Sequence, residues 1–232
     1  MDLVETKMKD PIKHWYYTNK YNAIRDFMKT DLQKAKVLVD VGAGSALFAH
    51  EILKSASHLS CFAIDTGYKL PTFYDAEKRI TFLQSSNQTR GEIYLFTDVL
   101  EHVSDDVKLL KSYVDSAPIG ALFVITVPAF MSLWSGHDIF LKHFRRYRKD
   151  SLSYCVVNAG LSIEDARYLY VILFPIVWLI RKLSISKKIE SQMKNHGQAL
   201  NAIATFILKS DRALARIFPF GVSIILSARK IN

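Results

Sequence analysis

At 232 residues with 50% hydrophobic content, the chain is long enough for one domain of ordinary size with a large core, and global disorder is excluded. Cys61 and Cys155 are the only cysteines, too few for a disulfide or zinc scaffold, so neither is expected and no metal is expected either. The net charge of +9 is unevenly placed: residues 1–141 carry 15 Lys/Arg against 17 Asp/Glu, while 142–232 carry 16 against 5. That split suggests a C-terminal part that meets something anionic, whether a phospholipid surface, a phosphorylated or pyrophosphate-linked substrate, or nucleic acid.

Residues 1–13 mix charges of both signs with no apolar run, which reads as neither a secretory signal nor a transit peptide, and a cytoplasmic location is expected. A helix is predicted over 14–32 from the spacing of Trp15, Ala23, Ile24, Phe27 and Leu32. It precedes the first strand and is placed to cover a site there. The cluster His14-Trp15-Tyr16-Tyr17 reads as packing. Strand one, 37–41, then runs into Gly42-Ala43-Gly44-Ser45-Ala46-Leu47. Gly42 and Gly44 remove Cβ atoms where the backbone must turn tightly and admit a ligand, and the N–H groups of the following helix favour electron-rich atoms. A dinucleotide-binding loop would carry glycine at 47, where this chain has Leu47, which counts against a dehydrogenase. An acid followed by two glycines, Asp40 then Gly42 and Gly44, resembles motif I of class I S-adenosylmethionine-dependent methyltransferases, with Ala46 in place of the third glycine. The resemblance implies that Asp40, Gly42, Ala43 and Gly44 form the cofactor cradle.

Strand two, 59–64, places Cys61 as a buried thiol and closes on Asp65, which lies 23 residues after Gly42. This is near the spacing at which a carboxylate accepts bonds from ribose hydroxyls. Two charge-assisted hydrogen bonds of about 1.5–3 kcal/mol each would let Asp65 dominate that end of a nucleoside ligand. A turn with Gly67 and Pro71 leads to a short third strand, 80–83, and to Gln84-Ser85-Ser86-Asn87, where Ser85 and Ser86 are the carry-overs for an adenine edge. The acid that commonly begins this stretch in the family is absent.

The fourth strand, 93–96, ends in Thr97-Asp98-Val99-Leu100-Glu101-His102-Val103. This resembles the fourth-strand motif of small-molecule methyltransferases of the ubiquinone-biosynthesis type, which implies Asp98 beside the sulfonium and His102 near the mouth of the acceptor site. A helix over 104–116, capped by Ser104 with Asp105 and Asp106 in its first turn, and a fifth strand over 121–127 follow. Beyond that strand Trp134, Ser135, Asp138, His143, Arg145, Arg146 and Tyr147 fall in the spacing W-S-x-x-D-x-x-x-x-H-x-R-R-Y. The loop is similar to that of a class I subfamily associated with saccharide or glycolipid assembly, although Lys142 replaces a glycine common before the histidine. The resemblance implies substrate contacts from Trp134, Arg145, Arg146 and Tyr147, and candidate general bases His143, Asp138 and His102, in that order. The other reading of the Arg-Arg-Tyr run is a latch that ties the loop to Asp138.

Residues 151–159 read as a helix, and a sixth strand begins at 162. From Tyr168 to Ile180 run 13 apolar residues broken in character only by Pro175, short of the roughly 20 that span a bilayer. They read as a buried strand entering a core helix, with membrane contact as the alternative. Residues 198–218 form an amphipathic pattern, Leu200, Ile203, Ile207, Leu214 and Phe218 opposing Lys209, Arg212 and Arg216. That helix either packs on the domain or rests near anionic head groups. A last strand covers 222–228.

The resemblance extends over nearly the whole chain and implies a single domain, 1–232: a doubly wound α/β fold with a seven-stranded Rossmann-like sheet, order 3-2-1-4-5-7-6 with strand 7 antiparallel. A covering helix at 14–32 and a helical, basic insertion or lid at 168–218 complete it. The expected activity is S-adenosylmethionine-dependent O-methylation of a saccharide or lipid-linked small molecule, with reversible contact at the inner face of an anionic membrane. The rivals are an RNA methyltransferase and a non-catalytic nucleoside-binding or membrane-associated scaffold. No Asn-Pro-Pro-Tyr-type tetrad follows strand four and no added RNA-binding module is visible, so nucleic acid is not the expected partner.

Overall fold

The computed structural model describes residues 10–70, 72–85, 89–183, 201, 204–205, 208, 210–211 and 213–232. One sheet organises them. Its strands are β1 (Val37–Val41), β2 (Ser60–Ile64), β3 (Thr72–Asp75), β4 (Ile80–Leu83), β5 (Ile93–Thr97), β6 (Leu122–Pro128), β7 (Leu161–Leu169) and β8 (Ser223–Lys230), in the order β3-β4-β2-β1-β5-β6-β8-β7. Strands β4, β2, β1, β5 and β6 are parallel neighbours, and β8 runs antiparallel between β6 and β7. The expected count of seven is therefore corrected to eight, and the expected order is extended at one edge by β3, antiparallel to β4. The sequence hides β3 because it is a four-residue edge strand with Phe73 and Tyr74 exposed, so it carries no burial pattern. Its main apolar contact is a tilted Phe73–Phe82 pair at 6.0 Å.

The central strands are continuous apolar runs because both faces of a parallel sheet are covered. The pleat sends Leu38, Leu95 and Val124 to one face, where Ile24 and Met28 of α1 (Trp15–Met28) and Phe48 and Ile52 of α2 (Leu47–Ser55) pack on them. Val39, Phe96 and Phe123 go to the other, against Leu110 and Tyr113 of α3 (Asp106–Ser116) and Leu152 and Val156 of α5 (Lys149–Asn158). On that face Tyr94 and Phe123 stack at 4.5 Å. The short α4 (Gly136–Phe140) lies in the loop after β6. Both cysteines are buried free thiols.

Two boundaries move. The cap of α3 is Asp105, whose carboxylate accepts from Lys108 N–H at 2.9 Å, and not Ser104. The apolar run after β7 gives α6 (Phe174–Lys182), but none of its residues is buried, so it is not a core helix. It packs near the 3-10 turn Met131–Leu133, and among the described residues no further element covers its outer side. Ile176, Leu179 and Leu183 remain 57%, 51% and 59% exposed. Of the predicted helix over 198–218, Lys209 and Arg212 lie outside the described residues, as does Ser86. The described part is tied to the domain through Asp211, whose buried carboxylate accepts from Tyr170 N–H at 2.6 Å and Ile172 N–H at 3.0 Å. Among the described residues, no helix is long and apolar enough to cross a membrane.

Candidate functional site

The loops at the carboxyl ends of β1, β2, β5 and β6, together with α1 and α6, enclose a cavity of about 700 Å³. Its first half is the cradle after β1. Gly42 adopts φ +64°, and a Cβ there would stand 2.6 Å from Val99 Cγ2, so only glycine fits the turn. Gly44 N–H donates to Asp65 Oδ2 and Gly67 N–H to Asp65 Oδ1, each at 2.8 Å, which fixes the carboxylate at the end of β2. Ala46 has φ 53°, the left-handed conformation that glycine would take without strain. Gly42, Asp65 and Asp98 line the cavity, whereas Asp40, Ala43 and Gly44 lie behind that surface. Burial, reinforced by the charge of Asp65, raises the Asp40 carboxyl to about 7. Ser85 is exposed and is not among the residues that line the cavity.

Asp98 follows β5 with φ 53° and is held from two sides. Thr126 Oγ1 donates to its Oδ1 at 3.2 Å, and the ammonium of Lys20 pairs with its Oδ2. Lys20 is wholly buried, reaching in from α1 past the ring of Tyr16, 4.8 Å from its centroid. Burial opposes ionisation at both groups, yet their mutual attraction prevails: the Lys20 pKa is raised and that of Asp98 is lowered. Tyr16 and Tyr17, also from α1, complete this wall.

The second half is built on the loop after β6. Ser135 caps α4 in a capping box, its backbone N–H donating to Asp138 Oδ2 at 2.8 Å and its Oγ at 3.1 Å. Arg146 then clamps the same carboxylate through Nε and Nη2, and His143 Nδ1 lies 3.0 Å from Oδ1. Asp138 is fully buried and, although burial alone would push its pKa up, these partners hold it well below the usual carboxylate range. It has no lone pair to spare for a substrate proton, so its candidacy as a base is withdrawn. It orients His143 instead. His143 faces His102 with ring centroids 4.5 Å apart, and both line the cavity.

The basic run latches the loop at two carboxylates, Arg146 on Asp138 as one reading expected, but Arg145 and Tyr147 on Asp106. Arg145 donates to the carbonyls of Val103 and Ser104 and pairs with Asp106 at 3.0 Å, while Tyr147, buried, donates to Asp106 Oδ2 at 2.7 Å. Neither lines the cavity, and neither does Trp134; of the predicted substrate contacts only Arg146 does. Three polar cavity residues escaped the sequence reading, Glu101, His137 and Arg181, and so did Lys20, which stands buried behind the wall on Asp98. Lys20 could have been found as a lone cation at helical spacing between Tyr16 and Ile24 on the apolar face of α1. Glu101 was hidden inside an apolar run, and Arg181 reads as the ordinary basic end of α6. His137 is kept neutral by burial, which lowers its pKa to about 4.

No protein-family profile and no curated protein matches the chain. Solved structures do. A SAM dependent methyltransferase from Archaeoglobus fulgidus superposes with a TM-score of 0.53 at 13% identity, over 90% of this chain and 94% of that one. The 1,6-didemethyltoxoflavin-N1-methyltransferase of Burkholderia thailandensis, with S-adenosylhomocysteine bound, gives 0.55 at 13% identity over 91% and 78%. The chain has the class I methyltransferase fold. The cyclase SpnF shares that fold, with a TM-score of 0.56 at 13% identity over 93% and 82%. Within it, the cavity occupies the carboxyl ends of the parallel strands, where open α/β sheets bind ligands.

Proposed function

We propose that the chain transfers a methyl group from S-adenosylmethionine to a hydroxyl oxygen of a saccharide or lipid-linked small molecule. One observation carries the reading: a single cavity joins a glycine cradle and a rigid Asp65 to a histidine whose tautomer is set by a buried carboxylate. The donor half suits the cofactor. Space at Gly42 that a Cβ would fill admits a ligand, Asp65 keeps acceptor capacity beyond its two N–H bonds for ribose hydroxyls, and the Asp98 carboxylate lines the same half of the cavity, where it suits a cation. When bound there, S-adenosylmethionine supplies an electrophilic methyl carbon. The chain supplies the rest.

Positioning of the acceptor oxygen contributes on the order of 7–11 kcal/mol at best. His143 serves that oxygen: Asp138 takes its Nδ1–H, which leaves Nε2 as the basic nitrogen, and such proton removal contributes roughly 10²–10⁴-fold. Arg146 and Arg181 give this half a positive wall suited to a phosphate or pyrophosphate on the acceptor. The exposed apolar stripe of α6, beside Arg181 and Lys182, supports the lipid-linked part of the reading and a peripheral position at an anionic inner membrane face.

Calorimetry with S-adenosylmethionine and S-adenosylhomocysteine, followed by mass spectrometry of cell extracts incubated with the protein and an isotopically labelled methyl donor, tests the proposal. A labelled small molecule is the expected product. Cofactor binding without label in any acceptor favours a scaffold, or a reaction of another kind on this fold, and label in RNA favours the nucleic-acid reading.

A further inference from the structure

Glu101 is the unexplained group of the site. It sits in the 3-10 turn Leu100–His102 with no exposed surface, and neither carboxylate oxygen has a hydrogen-bond partner. Every other carboxylate near it is matched: Lys20 answers Asp98, and Arg146 answers Asp138. A buried carboxyl with neither oxygen satisfied is costly in either protonation state, and native structures rarely leave one without a function. The side chain lines the cavity, and one of its oxygens lies within 4.8 Å of a ring nitrogen of His102 and a ring nitrogen of His143. This is the one such cluster among the described residues.

We propose that Glu101, His102 and His143 bind a divalent first-row metal ion, zinc being the best match to two imidazoles and a carboxylate, and that this ion receives the acceptor's oxygen. Two features of the site support it beyond proximity. Asp138 lies 3.0 Å from His143 Nδ1 and is itself pinned by Arg146 and Ser135, which is the carboxylate–histidine arrangement that orients metal-ligating imidazoles. Three protein ligands also leave a coordination position open toward the cavity, as catalytic rather than structural sites do. Zinc–ligand bonds of about 2.0–2.2 Å require only that the three side chains close slightly on the ion. The sequence reading, which expected no metal, could not see this because His143 is brought to the Glu101-His102 pair by the fold alone.

The inference rests on the methyl-transfer reading for its role and refines it. With the ion present, His143 acts on the acceptor through the metal. The hydroxyl oxygen would bind the ion and lose its proton to water because the ion's charge raises its acidity; the new O–CH3 bond would form as the methyl–sulfonium bond breaks, its electron pair staying on sulfur, so that the products are the methyl ether and S-adenosylhomocysteine. Acceptors with two adjacent oxygens, such as a saccharide diol, suit an ion that can take a fifth ligand.

The test uses the untagged full chain, stripped with a chelator and titrated with zinc by calorimetry and with cobalt by visible spectroscopy. One ion per chain is expected, with cobalt bands of a four- or five-coordinate nitrogen–oxygen site. Glu101→Gln and His143→Asn should each weaken zinc at least tenfold, and Asp138→Asn should do so about 10–100-fold by freeing the ring. Glu101→Gln should leave S-adenosylmethionine affinity within about twofold. Substoichiometric zinc in the parent, or equal affinity in parent and a folded Glu101→Gln, overturns the site. Should that variant not fold, the parent's cobalt titration decides alone, since the lack of a saturable one-to-one change in the visible spectrum overturns the site. Zinc without cofactor binding sinks the methyltransferase reading and leaves the metal site standing; cofactor without zinc does the reverse.

Discussion

Arg146 grips Asp138 with two parallel donors, Nε to Oδ1 at 2.7 Å and Nη2 to Oδ2 at 3.0 Å, and in doing so turns a candidate base into the anchor of His143. Asp138→Asn keeps the shape but loses the charge that accepts from both partners. Turnover is expected to fall roughly 10²–10⁴-fold, as when a catalytic imidazole is lost, with S-adenosylmethionine affinity little changed. Steady-state kinetics and calorimetry on the same preparation check this, and an unaltered kcat removes the His143–Asp138 pair from the mechanism.

The cradle makes a sharper steric prediction. In Gly42→Ala the new methyl meets Val99 Cγ2 at 2.6 Å while the backbone stays at φ +64°, so the turn must open. Asp65→Ala instead leaves the turn's sterics alone and removes the carboxylate that Gly44 and Gly67 hold. Both variants are expected to lose cofactor affinity, Asp65→Ala by about 3–6 kcal/mol at most for two charge-assisted bonds. Parent-like binding in Asp65→Ala would remove the ribose assignment.

Lys20 and Asp98 form the link between the covering helix and the strand ends. Breaking a buried pair from one side leaves an uncompensated charge, so Lys20→Met is expected to cost about 3–5 kcal/mol of stability at pH 7. A raised lysine pKa stabilises below the unfolded value near 10.5 and the gain is lost as pH climbs through the folded value. Urea titrations of parent and variant should therefore converge only at strongly alkaline pH. If they coincide at pH 7, the pair contributes nothing.

His137 gives a pH signature of the opposite kind. Its pKa is lowered from 6.5 to about 4 by burial, so the unfolded chain takes up a proton first as pH falls. Its contribution is whole above pH 6.5, shrinks between 6.5 and about 4, and levels off below, amounting to about 3 kcal/mol at most. Subtracting the stability curve of His137→Gln from that of the parent should isolate this slope. A flat difference across that window shows that His137 is hydrated rather than buried.

Much of the scaffold was legible because its signals are local. Strands β1 and β4 lie where their short apolar runs place them, and Gly42, Asp65, Asp98, His102 and His143 all reach one cavity. What was not legible depends on partners distant in sequence. Lys20 and Asp98 are 78 residues apart, and nothing near Arg145 announces that Asp106 and two carbonyls will consume its donors. The β3 edge and the exposure of α6 escaped for a related reason: apolar content reports what can be buried, while burial depends on whether another layer arrives.

That unburied stripe leads to the last expectation, that the protein docks reversibly on anionic membranes through α6. Ile176, Leu179 and Leu183 recur at helical spacing and stay more than half exposed, and Lys182 and the exposed Arg216 lie in the strongly basic C-terminal part. Burying such side chains in a head-group layer is favourable by about 25 cal/mol per Å² of apolar surface, and each basic residue near an anionic surface adds about 1 kcal/mol that salt screens. Flotation with anionic vesicles should capture the parent at low salt, release most of it at high salt, and fail with an Ile176→Ser, Leu179→Ser, Leu183→Ser triple variant. Parent protein that stays wholly in the soluble fraction at low salt would instead make α6 a lid. Arg181, on the same helix but lining the cavity, already shows which wall that lid would form.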